Sequence, residues 1–153
     1  AEMEQAGKLS AIVTQNIDGL HQAAGSKNVF ELHGSVHRNY CQKCGKFFDV
    51  NYVVNAKGVP YCDECGGIIK PDVVLYEEGL DSQTINGAVR AISKADMLII
   101  GGTSLVVYPA AGMIDYFKGK YLAVLNRDAT SRDKQADLCI TDPIGEVLGR
   151  IRV

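Results

Sequence analysis

Apolar residues fall along this chain in short unbroken runs separated by longer amphipathic stretches. The runs Ala11 to Val13, Asp96 to Ile100, Tyr121 to Leu125 and Leu138 to Ile140 have the length and continuity of strands buried on both faces. Between them, Ser82 to Ser93 repeats its apolar positions at helical spacing (Ile85, Ala88, Val89, Ile92), and Ala110 to Phe117 and Ile144 to Ile151 do the same. The opening residues, Ala1 to Gly7, have the composition of the last turns of a helix, with Gly7 as its C-cap. Strands alternating with helices imply right-handed crossovers and a parallel sheet with helices on both faces. Ligands are then expected at the carboxyl ends of the strands.

Residues 38–69 break this rhythm. Glycine, cysteine and polar residues replace the apolar runs there, which marks a small module inserted between residues 1–37 and 70–153 of the α/β domain. The module carries two Cys-x-x-Cys-Gly knuckles, Cys41/Cys44 and Cys62/Cys65, with 17 residues between them. Each two-residue gap lets both sulfurs of a knuckle converge on one ion, and the spacing is that of a four-thiolate zinc site. Four protein ligands leave no open position for water, so the metal is expected to be structural, holding a module too small for a core of its own. The fifth cysteine, Cys139, lies between Leu138 and Ile140, and a buried structural thiol is the expectation.

Composition narrows the function classes. A formal charge of −2 gives no electrostatic reason to expect nucleic acid, and only Arg38, Lys43 and Lys46 lie near the knuckles. No apolar run approaches the roughly 18 residues that span a bilayer, and no leader is visible, so the chain reads as soluble and cytoplasmic.

Three segments carry candidate chemistry. Thr14-Gln15-Asn16-Ile17-Asp18-Gly19-Leu20-His21 follows directly on the first apolar run, where a nucleotide would sit, although an Asx turn closed by Gly19 accounts for the pattern equally well. Glu31-Leu32-His33-Gly34-Ser35 sets a histidine beside a glycine just ahead of the module; histidine is the usual side chain for proton abstraction, and more often simply a satisfied structural residue. Gly101-Gly102-Thr103-Ser104 puts a glycine pair and two hydroxyls after a strand, suited to close approach by ribose or phosphate.

In order and spacing these segments, the paired knuckles, Pro71-Asp72-Val73-Val74, Gly102-Thr103-Ser104-Leu105 with Pro109, and Leu125-Asn126-Arg127 resemble the sirtuins over nearly the whole chain. The resemblance implies an NAD-dependent protein lysine deacylase: a Rossmann-like domain with a zinc-ribbon insertion and the active site in the cleft between them. It further implies that His33 is the general base and that Gln15, Asn16, Ile17 and Asp18 surround the nicotinamide and its ribose. Gly102, Thr103, Ser104, Asn126 and Arg127 would hold the rest of the dinucleotide, with Ile144 near the adenine. An acyl-lysine protein or peptide would add as a strand between Val73, Val74 and Tyr76 on one side and Val106 and Tyr108 on the other. The products would be free lysine, nicotinamide and O-acyl-ADP-ribose, the acyl group most commonly acetyl.

Two departures from the family pattern stand out. Tyr76-Glu77-Glu78 replaces the common Phe-Gly-Glu, putting a charge where the family has glycine. The family's opening glycine-rich phosphate loop has no counterpart, which implies the C-terminal portion of a sirtuin. A chain lacking that loop is expected to bind NAD poorly, turn over little and self-associate through uncovered strand edges. The alternative from another class is a non-catalytic, zinc-bearing peptide-binding module.

Overall fold

The computed structural model describes residues 1–153, which gather into two compact units. One comprises Ala1 and Ile12–Thr84, the other Glu2–Ala11 and Ile85–Val153.

The first unit holds two small sheets. In one, β1 (Ile12–Thr14) pairs in parallel with β2 (Val29–Glu31), and the short helix α2 (Leu20–Ala23) lies in the connection between them. In the other, β3 (Gly34–Cys41) is the central strand, flanked antiparallel by β4 (Phe47–Asp49) and β5 (Ile69–Val73). The helix α3 (Val50–Val54) follows β4 directly, its N-terminus capped by the Asp49 carboxylate, which accepts the Tyr52 amide at 2.9 Å. The register of β3 on β5 slips between Ser35 and Asn39, so Val36, His37 and Arg38 have no register partners in the β5 ladder. Gly34 is obligatory at the start of β3. Its φ is +76°, and a Cβ there would lie 1.9 Å from the Asp72 carbonyl oxygen.

The core of the antiparallel sheet is small: Cys41, Phe48, Cys62 and Ile69 are buried, with Val53 and Cys65 packed against them. Two of its four buried members are cysteines of the knuckles, so metal binding and apolar packing fall on the same residues.

The second unit opens with α1 (Glu2–Gln5), ended by Gly7 at φ +68°, as the terminal glycine predicts. It then carries α4 (Ser82–Lys94, from Ile85 onward) and the parallel sheet β6 (Met97–Gly101), β7 (Tyr121–Leu125) and β8 (Leu138–Ile140), with β7 in the middle. The helix α5 (Ile144–Gly149) follows β8. Ile100, Leu122 and Val124 form the core, joined by Leu98, Leu105, Ile114, Phe117 and Ala136.

Three sequence expectations need correction here. Burial on both faces holds only for β7, whose Leu122 to Leu125 are all buried; β6 and β8 are the outer strands and keep exposed positions. Cys139 is exposed rather than buried, because β8 pairs on one side only, and its thiol donates weakly to the Asp133 carbonyl at 3.7 Å. Ala110–Tyr116 is a 3-10 segment rather than an α-helix, with Gly112 N–H bonded to the Pro109 carbonyl and Phe117 N–H to that of Ile114. Both bonds close i to i−3 turns, the winding that short helical connectors adopt. No helix is long and apolar enough to cross a membrane.

Candidate functional site

In the first unit, β1 ends at Thr14 and the chain turns sharply. The Thr14 hydroxyl accepts the Asn16 amide at 3.0 Å, and the Asp18 carboxylate accepts the Leu20 amide at 3.0 Å and the Asn16 side-chain amide at 3.4 Å. Gly19, at φ +68°, starts α2. The Asx turn read from the sequence is therefore present, and it leaves Asn16 and Asp18 exposed at the carboxyl end of a parallel strand.

His33 lies between β2 and β3, half-buried, and its Nδ1 is 2.9 Å from the Gln15 carbonyl oxygen. A carbonyl can only accept, so Nδ1 carries the proton and Nε2 is left with its lone pair free to accept another. Backbone bonds hold this arrangement on both sides: Leu32 N–H donates to the Thr14 carbonyl, Val36 N–H to that of Ile17, and Val74 N–H to that of His33. Gln15, Asn16, Asp18 and His33, picked out separately in the sequence, thus belong to one hydrogen-bonded assembly.

An ion-pair chain stiffens the same region. Arg38 donates to Glu31 at 2.7 Å and to Asp72 at 2.8 Å, linking the end of β2 to β5. The Glu31 carboxylate is only 8% exposed, so it depends on this partner. Burial lowers the Arg38 pKa, but the hydrogen bonds to Glu31 and Asp72 outweigh it and hold the guanidinium above its ordinary value. Sequence reasoning placed Arg38 only as a charge beside the knuckles. Its role depends on Glu31 on the neighbouring strand β2 and on Asp72, 34 residues further along the chain.

The four knuckle sulfurs all lie within 4.8 Å of one another, with Cys41 Sγ 3.3 Å from Cys65 Sγ and Cys44 Sγ 3.7 Å from Cys62 Sγ. These are non-bonded separations, far beyond the roughly 2.05 Å of a disulfide, and all four cysteines are free thiols. A tetrahedral zinc with bonds of about 2.3 Å places its sulfurs about 3.8 Å apart, so the cluster fits that ion. Burial raises the Cys41 thiol, yet the amides of Cys44 and Lys43 and the thiols of Cys65 and Cys44 bring it down to about 6. The Lys46 amide lowers Cys44, but the hydrogen bonds that its own S–H donates to the sulfurs of Cys65 and Cys41 push it up to about 12, so the first negative charge belongs to Cys41. Outside the cluster, Lys46 bridges Asp63 at 2.7 Å and Glu64 at 2.9 Å.

In the second unit, the carboxyl ends of β6, β7 and β8 gather the remaining predicted residues. Gly102 (φ +61°) donates its amide to the Leu125 carbonyl at 3.1 Å, and the Thr103 hydroxyl accepts the Leu105 amide at 3.2 Å. Asn126 donates its amide to the Ile140 carbonyl and its side-chain nitrogen to that of Asp128. Ile144 reaches back over Gly101, where an added Cβ would lie 2.3 Å from its Cδ1. The close backbone approach therefore belongs to Gly101, which the sequence reading did not single out from its neighbour, whereas Gly102 supplies the positive φ.

Val73 ends β5, and Tyr76 beyond it is fully exposed, as are most of Val106 and Tyr108 in the second unit.

Comparison with known proteins agrees with these features. The profile of the Sir2 family matches residues 1–109. A Clostridium acetobutylicum protein named NAD-dependent protein deacetylase is 66% identical over 149 residues, covering 97% of this chain and 61% of the relative. A Clostridium perfringens protein of the same name is 66% identical over 152 residues, covering 99% and 62%. Among solved structures, the complex described as Sir2-p53 peptide-NAD+ superposes with a TM-score of 0.90 at 39% identity, over 98% of this chain and 65% of that one. Sir2 bound to acetylated peptide superposes equally well, at 38% identity over 98% and 65%. The chain thus spans about three fifths of the length of the curated relatives it matches. With the profile covering well over half of the residues, and with the paired knuckles and the parallel sheet in place, this chain belongs to the Sir2 family, the sirtuins.

Proposed function

We propose that the protein carrying these residues removes acyl groups, acetyl first among them, from protein lysines at the expense of NAD, and that His33 is its general base. The observation that carries this reading is the 2.9 Å approach of His33 Nδ1 to the Gln15 carbonyl oxygen. The Nδ1–H is committed to that carbonyl, which leaves Nε2 as a proton acceptor held in one orientation beside the Gln15–Asp18 turn.

The residues fit the dinucleotide in each unit separately. Asn16 and Asp18 are exposed polar groups that suit a carboxamide and a ribose, with Gln15 and Ile17 completing the turn. Gly102, Thr103, Ser104, Asn126, Arg127 and Ile144 stand at the carboxyl ends of parallel strands, where nucleotides bind in open α/β sheets. When bound, NAD supplies a nicotinamide leaving group and a ribose carbon able to take the acyl oxygen. The work of this chain is to orient that ribose through the Gln15–Asp18 turn and to take a proton from one of its hydroxyls at His33 Nε2. In the first unit the backbone beside Val73, Val74 and Tyr76 is the candidate to pair with an extended acyl-lysine peptide, main-chain bonds giving affinity with little side-chain selectivity, and in the second unit the exposed Val106 and Tyr108 are candidates for the same ligand. Cys41, Cys44, Cys62 and Cys65 would hold a zinc with all four positions filled by protein, so the ion would serve the fold and not the reaction. The relatives and complexes described above, by their own names, use NAD and acetylated or p53 peptides, which supports the reading.

The test is release of nicotinamide and formation of O-acetyl-ADP-ribose from NAD and an acetyl-lysine peptide. It is run on this chain and on a version extended to the length of its relatives. His33→Ala is expected to cut the rate by about 10² to 10⁴ while folding and zinc content stay unchanged. Failure of the extended protein to release nicotinamide would leave the peptide-binding module standing instead, and undiminished turnover in the variant would return His33 to a structural role.

A further inference from the structure

His37 is used by nothing described so far, and it occupies the one irregular stretch of β3. The register slip between Ser35 and Asn39 takes Val36, His37 and Arg38 out of the backbone ladder with β5. Arg38 takes up the ion pairs with Glu31 and Asp72, and Val36 donates its amide to the Ile17 carbonyl at 3.1 Å. The imidazole of His37 meets the same turn one residue later, with Nε2 2.9 Å from the Asp18 carbonyl oxygen. Its backbone amide is fixed by the Ser35 hydroxyl at 3.2 Å, and Ser35 is buried. The ring also packs on Gly19, where an added Cβ would lie 2.6 Å from Cδ2 and 2.8 Å from Nε2.

The segment from His33 to His37 therefore holds three carbonyls of the turn, those of Gln15, Ile17 and Asp18, with two of the three donors being histidine side chains. Because the acceptors are carbonyls, the two rings must be protonated at opposite nitrogens, His33 at Nδ1 and His37 at Nε2. We infer that His37 is a positioning residue, one that the β3 bulge aims at Asp18 and Gly19 so that the exposed side of the turn, with Asn16 and the Asp18 carboxylate, keeps one shape before ligand arrives. This rests on the proposal that the turn receives the nicotinamide end of NAD. A preformed turn spares the ligand the entropy of ordering it, so the benefit appears in affinity for the part of the ligand that the turn touches.

Three measurements test the inference. The first two need no enzymatic activity. Imidazole ¹⁵N spectra of the chain are expected to show His37 in the Nε2–H form and His33 in the Nδ1–H form; His37 found in the Nδ1–H form overturns the inference. Amide hydrogen exchange over residues 15–20 is expected to rise on the order of tenfold in His37→Phe, which keeps a ring on Gly19 and removes the donor. His37→Gln puts an N–H where Nε2 stood, so it is expected to restore protection. Exchange in His37→Phe equal to wild type, or Gln no better than Phe, also overturns it. The third measurement, made on the extended protein, compares NAD with ADP-ribose, which lacks the nicotinamide. His37→Phe is expected to weaken NAD several-fold more than ADP-ribose. If exchange responds as expected while both ligands are weakened alike, the anchoring of the turn stands and its nicotinamide assignment is overturned.

Discussion

Glu77 sits at φ +71°, a left-handed conformation that costs an ordinary L residue about 1 kcal/mol or more. The backbone makes a turn there, with Glu78 N–H donating to the Leu75 carbonyl at 3.1 Å. The Glu78 carboxylate closes the turn by accepting the Leu75 amide at 2.9 Å and Lys70 at 3.4 Å. Glu77 is the third residue of that turn, the position where positive φ favours glycine. The sequence departure at 77 thus changes the side chain and not the turn. Glu77→Gly is expected to stabilise the chain by about 0.5–1 kcal/mol, net of the extra entropy glycine brings to the unfolded state, raising the thermal midpoint by a few degrees. A midpoint unchanged or lowered would mean that the Glu77 side chain makes a compensating contact. At this scale the sequence was informative where chemistry sits in short segments: the knuckle cysteines, His33 and the Asn16/Asp18 turn were all legible. It was silent where the partner is remote. Arg38 with Glu31 and Asp72, and His37 with Asp18, exist only after strands are paired, and no local pattern announces them.

Among the elements, strands in the parallel sheet were legible because their apolar runs are continuous, and β7 falls where its run lies. β2 and β3 were not, because Gly34 to Cys41 mixes histidine, arginine, asparagine and tyrosine without clean alternation and contains a register slip. The exposure of Cys139 was missed for a related reason: an apolar triplet looks the same in an outer strand as in a central one. The start of α4 shows a local signal that works. Asp81 accepts the Thr84 amide at 2.7 Å and the Thr84 hydroxyl at 2.8 Å, satisfying an otherwise orphaned donor of the first turn. The Thr84 amide first, and its hydroxyl second, lower the Asp81 pKa below the usual carboxylate range. A carboxylate depressed in the folded state contributes stability that is fully present above its unfolded pKa, near 4, and is lost as pH falls through the folded value. The first turn of α4 is therefore expected to fray as pH drops below about 4, and Asp81→Ala to remove that pH dependence. Amide exchange at Thr84 followed against pH in both proteins checks this; parallel profiles would show that Asp81 is not the group responsible.

For the whole molecule, the two compact units are stabilised by different means. The second unit has a conventional core in Ile100, Leu122 and Val124, with β7 paired on both sides by parallel neighbours. The hydrophobic core beside the antiparallel sheet of the first unit has only four buried members, and Cys41 and Cys62 are half of them. Without an ion, the sulfurs crowd within 4.8 Å and hydrogen-bond to one another, which brings Cys41 down to about 6 and pushes Cys44 up to about 12. With zinc bound, all four become thiolate ligands, and structural zinc contributes on the order of 10 kcal/mol to such sites. One zinc per chain is expected by metal analysis. A chelator, or Cys62→Ala, is expected to release it and to melt β3, β4, α3 and β5, while β6 and β7 keep their amide protection. Because β3 and His33 just ahead of it carry the donors that hold the Gln15–Asp18 turn, metal loss should expose residues 15–20 to exchange, although none of them belongs to the sulfur cluster. Hydrogen exchange read by mass spectrometry, with and without chelator, resolves these segments in one experiment. Retained protection over residues 34–73 after complete zinc removal would show that the apolar contacts of Phe48 and Ile69 suffice. Simultaneous loss over residues 97–125 would show that the parallel sheet depends on the metal as well.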